Sequence, residues 1–180
     1  KYPITEVIWI RFFSQTIVLF LIFLPFIKTK LITHSLYLHI SRGVCLFFAA
    51  LFFFIGFTKT DLANATAIYK TSPIFLTLGS IFFLKETNFL VIKFLTVFLA
   101  LIGALIIINP SSSSFSIYSF FPLFAAISLA IFGLITRYFG ERENPLTSII
   151  YTTLTGTILS SFLFALFDWK PFVMQDIPLS

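Results

Sequence analysis

A chain of 180 residues, 58% hydrophobic and 11% charged with a mean hydropathy of +1.03, is not an ordinary water-soluble domain. Its net charge of +5 calls for no nucleic-acid partner, because Lys and Arg in membrane proteins set orientation. The single cysteine, Cys45, builds neither a disulfide framework nor a metal site.

The apolar residues fall in long runs separated by short polar breaks, which predicts an all-α, polytopic helical bundle in a lipid bilayer. Six spans are expected: A (5–27), B (36–58), C (63–84), D (89–108), E (115–138) and F (145–167). The many phenylalanines read as lipid-facing bulk. In span A, Arg11 shares an arc with Ser14, Gln15 and Val18. Two readings stand for it: a pathway cation, or a side chain that snorkels to the outer headgroups. Around the start of span B, His34 and His39 read as part of a basic loop with no carboxylate or cysteine cluster, so no metal or cofactor is expected. Arg42 reads as an anchor at the cytoplasmic end, as do Lys93 and Arg137.

Span C is the unusual one. Lys70 places an ammonium group about 10 Å into an otherwise apolar or small-polar run, where a charge costs about 2.5–3.5 kcal/mol on insertion scales. At 100° per residue it shares an arc with Ala63, Thr66, Ala67, Pro73 and Thr77, which reads as the wall of a cavity. Pro73 has no N–H for the carbonyl of Tyr69 and is expected to kink the helix. Tyr69, Thr71 and Ser72 flank that kink, and Ala65, Ser72 and Gly79 form a seven-residue stripe suited to packing. The opposing reading of Lys70 is snorkelling or a structural pairing. In span F, Tyr151, Thr152, Thr155 and Gly156 make a small, polar face, fit equally for packing or for lining a pathway. The segments after span D (109–114) and after span F (168–171) read as a turn and an interfacial stop, and 141–143 as a solvated loop.

Loops A–B, C–D and E–F with their flanks hold Lys28, Lys30, Arg42, Lys85, Lys93, Arg137 and Arg142. The other side holds Lys1, Arg11, Lys59 and Lys170, so seven against four places the first set in the cytoplasm. Span A then begins outside, and a further helix is expected before it. Pro3-Ile4-Thr5 opens span A as Pro145-Leu146-Thr147 opens span F. An odd number of spans separates the two starts, so copies of one repeat would enter the membrane in opposite directions, as in inverted-repeat transporters; the opposing reading is that Pro-x-Thr openings are common helix starts.

The run Ala65-Thr66-Ala67 through Thr71-Ser72-Pro73-Ile74-Phe75 to Phe83-Leu84-Lys85-Glu86 resembles the drug/metabolite transporter superfamily, EamA type. Arg11-Phe12, Arg42-Gly43, Gly103 and Asn109-Pro110 also fall where that family has similar residues. The resemblance implies a ten-helix carrier of two inverted five-helix repeats. Residues 1–110 would hold helices two to five, and 111–180 helices six and seven. Within the family, His39-Ile40-Ser41-Arg42-Gly43 and Leu46-Phe47-Phe48 look like the S-adenosylmethionine uptake carriers of intracellular bacteria. Lys70 and Lys93 depart from the family pattern.

The reading is a secondary carrier in the inner membrane. It moves a small metabolite by alternating access, with a coupling ion or exchanged solute as a possible second partner. Its pathway candidates are Lys70, Arg11, Gln15, Tyr69, Thr66, Pro73, Thr77, Tyr151 and Thr152. The alternatives are a membrane-embedded enzyme, which needs carboxylates or a nucleophile and base within the spans, and an accessory membrane subunit in which Lys70 pairs with a partner's acid.

Overall fold

The computed structural model describes residues 3–23, 35–85, 90–108, 117–139 and 144–167. His34, the loop lysines Lys28 and Lys30, Asn109-Pro110, Glu141 to Glu143 and the stretch after 167 lie outside the described residues. The described helices are α1 (Ile4–Phe23), α2 (Leu36–Lys59), α3 (Leu62–Tyr69), α4 (Ser72–Phe83), α5 (Leu90–Ile108), α6 (Phe120–Phe139) and α7 (Pro145–Phe167). A 3-10 turn, Ile117–Ser119, leads into α6. Among the described residues four helical stretches are long and apolar enough to cross a bilayer: Ile4–Ile22, Leu36–Lys59, Ile117–Tyr138 and Pro145–Phe167. The all-α, multi-pass architecture is therefore the expected one.

Local chemistry sets the helix ends. Asn144 caps α7, its Oδ1 accepting the Leu146 N–H at 3.0 Å, and Pro145 occupies the first turn, where its missing N–H leaves nothing unpaired. Thr60 closes α2 by donating both its N–H (2.9 Å) and its hydroxyl (2.8 Å) to the carbonyl of Gly56.

Span C departs from expectation in form. It is not one kinked helix but two, α3 and α4, with the interruption at Lys70-Thr71 rather than at Pro73. Lys70 still donates to the carbonyl of Thr66 at 2.9 Å. Thr71 then turns tighter: its N–H (3.0 Å) and its hydroxyl (2.6 Å) both go to Ile68, only three residues back. Pro73 becomes the second residue of α4. The physical reason is that a continuous helix would press the proline ring against the Tyr69 carbonyl and leave that carbonyl without its donor.

Around this break the bundle is organised on α2, which packs against α6, α7, α3 and α1. Helix α6 runs antiparallel to it, since Gly56 meets Pro122 at one end and Arg42 meets Phe132 at the other. Helix α7 runs parallel to α2, with His39 against Tyr151 and Gly43 against Thr155. Helices α1 and α7 are antiparallel: Trp9 donates to Ser161 at 3.0 Å, and Thr16 meets Thr157 at 2.6 Å. Gly156 permits their crossing, because a Cβ there would sit 2.5 Å from Phe12 Cε1. The core is Ile8, Phe12, Phe47 and Ala50, enclosed by these three helices. Ala65 and Ser72 of the expected packing stripe are buried, and its third member, Gly79, faces Leu134. Phe20, Leu21, Phe82, Phe83 and Val91 stand exposed on the outside, as side chains in contact with hydrocarbon do.

Candidate functional site

The expected pathway residues fall in two places. Thr66, Tyr69, Lys70, Pro73 and Thr77 lie at or next to the α3–α4 break, and Arg11 and Gln15 lie on α1. Tyr69 is half-buried, its ring 4.8 Å from that of Phe53, and Arg11 lies within electrostatic reach of its hydroxyl. Thr66 and Thr77 are half-buried, and the Thr77 hydroxyl donates to the carbonyl of Pro73 at 2.8 Å. Lys70 and Pro73 are exposed, as are Arg11 and Gln15, so the charged members of this group face away from the core of the described residues. Because the helix is interrupted beside Lys70, its arc is not the unbroken wall that a uniform 100° step suggests.

The second place is the end of the bundle at which α2 and α7 begin. Here two sequence expectations fail. His39 is not in a loop: it is the fourth residue of α2 and is completely buried, its ring stacked on Tyr151 with centroids 5.5 Å apart. Arg42 is not an exposed anchor: it is 6% exposed, its guanidinium 4.9 Å from the ring of Phe132 on α6 and its Nη1 donating to the Ser148 hydroxyl. Ser148 in turn lies 3.3 Å from His39 Nδ1. Thr152, one turn on, is buried and donates to the Ser148 carbonyl at 2.7 Å. Tyr151 and Thr152 therefore belong to this cluster rather than to the one around Lys70.

The physical cause is close approach. A Cβ on Gly43 would overlap Thr155, so the missing side chain lets α7 lie against α2 and carries Arg42 and His39 into the interface. The signal was present in the spacing: His39, Arg42 and Gly43 share one helical face, as do Ser148, Thr152 and Gly156. Arg42 and the α2–α7 pairing were what sequence reasoning missed. Among the described residues no group of His, Cys, Asp and Glu is arranged to hold a metal ion.

A membrane-crossing helical bundle with one span broken in the middle, and with polar side chains buried between α2 and α7, defines a polytopic membrane protein. The chain belongs to the EamA-like transporter family, which matches residues 1–109. It is 30% identical over 159 residues to a protein of Rickettsia conorii named S-adenosylmethionine uptake transporter, covering 86% of this chain and 52% of that one. Two proteins named riboflavin transporter are also similar. The one from Brucella anthropi is 31% identical over 126 residues (70% of this chain, 44% of that one). The one from Vibrio cholerae is 28% identical over 167 residues (87% and 54%). The chain spans about half the length of the curated relatives it matches. No solved structure matches.

Proposed function

We propose that this chain is part of a secondary carrier of the inner membrane, which moves a small organic metabolite by alternating access of two inverted repeats. The observation that carries the reading is the break at Lys70-Thr71. Irregular backbone within a membrane is tolerated where it is buried in protein or lines a water-filled cavity, and interrupted helices of this kind form solute sites in carriers. Tyr69, Thr66, Pro73 and Thr77 border the break, and Arg11, Gln15 and Lys70 are the polar groups nearest in depth. Tyr151 and Thr152 extend the pathway toward the other end.

The repeat boundary near residue 110 is supported by the family match, which stops at 109, and by the antiparallel pairing of α1 with α7, whose Pro-x-Thr openings correspond. Residues 1–110 then hold helices two to five and 111–180 the start of the second repeat. The named relatives support S-adenosylmethionine as the solute, with movement coupled to an ion or an exchanged metabolite. No chemical step is assigned to the protein.

The test is uptake of labelled S-adenosylmethionine by vesicles holding the full-length protein. Saturable uptake that unlabelled solute competes away is the expected result. Vesicles that take up neither S-adenosylmethionine nor riboflavin faster than protein-free controls would reject the reading.

A further inference from the structure

Among the described residues, no carboxylate lies beside the buried Arg42. It is 94% buried by its 6% exposure, and its Nε has no hydrogen-bond partner among the described residues. Among the described residues, the groups shown reaching it are neutral: the Ser148 hydroxyl at Nη1 and the π face of Phe132. The carboxylates among the described residues are Glu6 and Asp61, and both sit at the opposite end of the bundle, where α1 begins and α2 has ended. The local backbone adds to the imbalance, because the first turns of α2 and α7 both direct N–H groups toward this end. A guanidinium removed from water and left unpaired is costly unless something supplies the negative charge. Its planar fork matches a carboxylate in two-point contact better than any other side chain does.

We infer that Arg42 is the residue that recognises the carboxylate of the transported solute, at a point between the two repeats where α2, α6 and α7 meet. This rests on the carrier reading above and adds the substrate class: a solute with a free α-carboxylate, as in an amino-acid head group, rather than one without. Stacked His39 and Tyr151 border the same point and offer an aromatic flank to the rest of the solute. In the conformation seen here α6 and α7 close over the guanidinium, so the solute reaches it when the ends of these helices part. Of the two solutes in the relatives' names, S-adenosylmethionine carries a free carboxylate and riboflavin does not.

The experiment uses purified full-length protein and three probes: S-adenosylmethionine, its carboxyl methyl ester, and riboflavin. Thermal stabilisation reports binding without requiring transport, and vesicle uptake is followed in parallel. The expected result is at least tenfold tighter binding of the free acid than of the ester, a ratio that falls to near one in Arg42→Gln and is partly kept in Arg42→Lys. A ratio unchanged in Arg42→Gln overturns the inference. So does equal binding of acid and ester by the unmodified protein, or a uniform loss of both in the variant, which marks Arg42 as a packing element only. Stabilisation by riboflavin alone overturns it while leaving the carrier reading intact. Stabilisation by none of the three overturns it as well, and the uptake measurement then decides the carrier reading separately.

Discussion

His39 of α2 and Tyr151 of α7 lie face to face, 5.5 Å between ring centroids and 16° between planes. They join the start of α2 to the start of α7. Stacking of this kind contributes about 0.5–1.5 kcal/mol beyond burial. Tyr151→Phe keeps the ring and is expected to melt within experimental error of the unmodified protein in detergent. Tyr151→Ala is expected to lose about 1 kcal/mol or more. Equal melting of the two variants would show that the stack contributes nothing.

The break between α3 and α4 exists because Pro73 offers no N–H to Tyr69. Pro73→Ala supplies it, and the two short helices are then expected to merge into one continuous span. One gained backbone hydrogen bond leaves stability unchanged or raises it by about 1 kcal/mol. Uptake by the variant is expected to fall sharply, since the irregular backbone is lost. Amide exchange at 69–74 checks the merging, and full uptake with a continuous helix would detach the break from transport.

Lys70 stands exposed beside that break. Lys70→Ala is expected to insert and express near normally, because removing the charge relieves about 2.5–3.5 kcal/mol on insertion scales. Its uptake is expected to be lost or strongly weakened. Lys70→Arg should restore little, because a planar fork does not replace a compact ammonium group. Unimpaired uptake by the Ala variant would remove Lys70 from the pathway.

From the distribution of Lys and Arg, the start of α2 is expected in the cytoplasm and the α2–α3 connection outside. In a cysteine-free background, an impermeant thiol reagent added to intact cells is expected to label Asp61→Cys. Ser35→Cys should react only after permeabilisation. The reverse pattern would invert the bundle and place the Arg42 cluster on the outer side.

Much of the fold was readable because length and hydropathy decide what crosses a bilayer. Five of the six expected spans correspond to single helices, and Pro73 was recognised as the point of trouble in the sixth. Its form was not readable: a proline's effect reaches back to Thr71 and Ile68, where hydroxyl and backbone bonds choose between a bend and a break. Arg42 and His39 were misplaced because a basic residue near a helix end has the same local signature whether it anchors to headgroups or turns inward. What decides between these is a neighbour more than a hundred positions away, Thr155 over Gly43, which no local pattern contains.

The hydroxyl of Thr157 lies within bonding distance of three oxygens: the Thr153 carbonyl of its own helix at 2.9 Å, the Phe12 carbonyl at 3.1 Å and the Thr16 hydroxyl at 2.6 Å. It has one proton to give and three places to send it. If α1 shears along α7, the proton can return to Thr153 before the contact across the seam is lost, so no polar group is stranded in hydrocarbon along the way. A joint of this kind holds when the helices are still and offers little resistance when they slide.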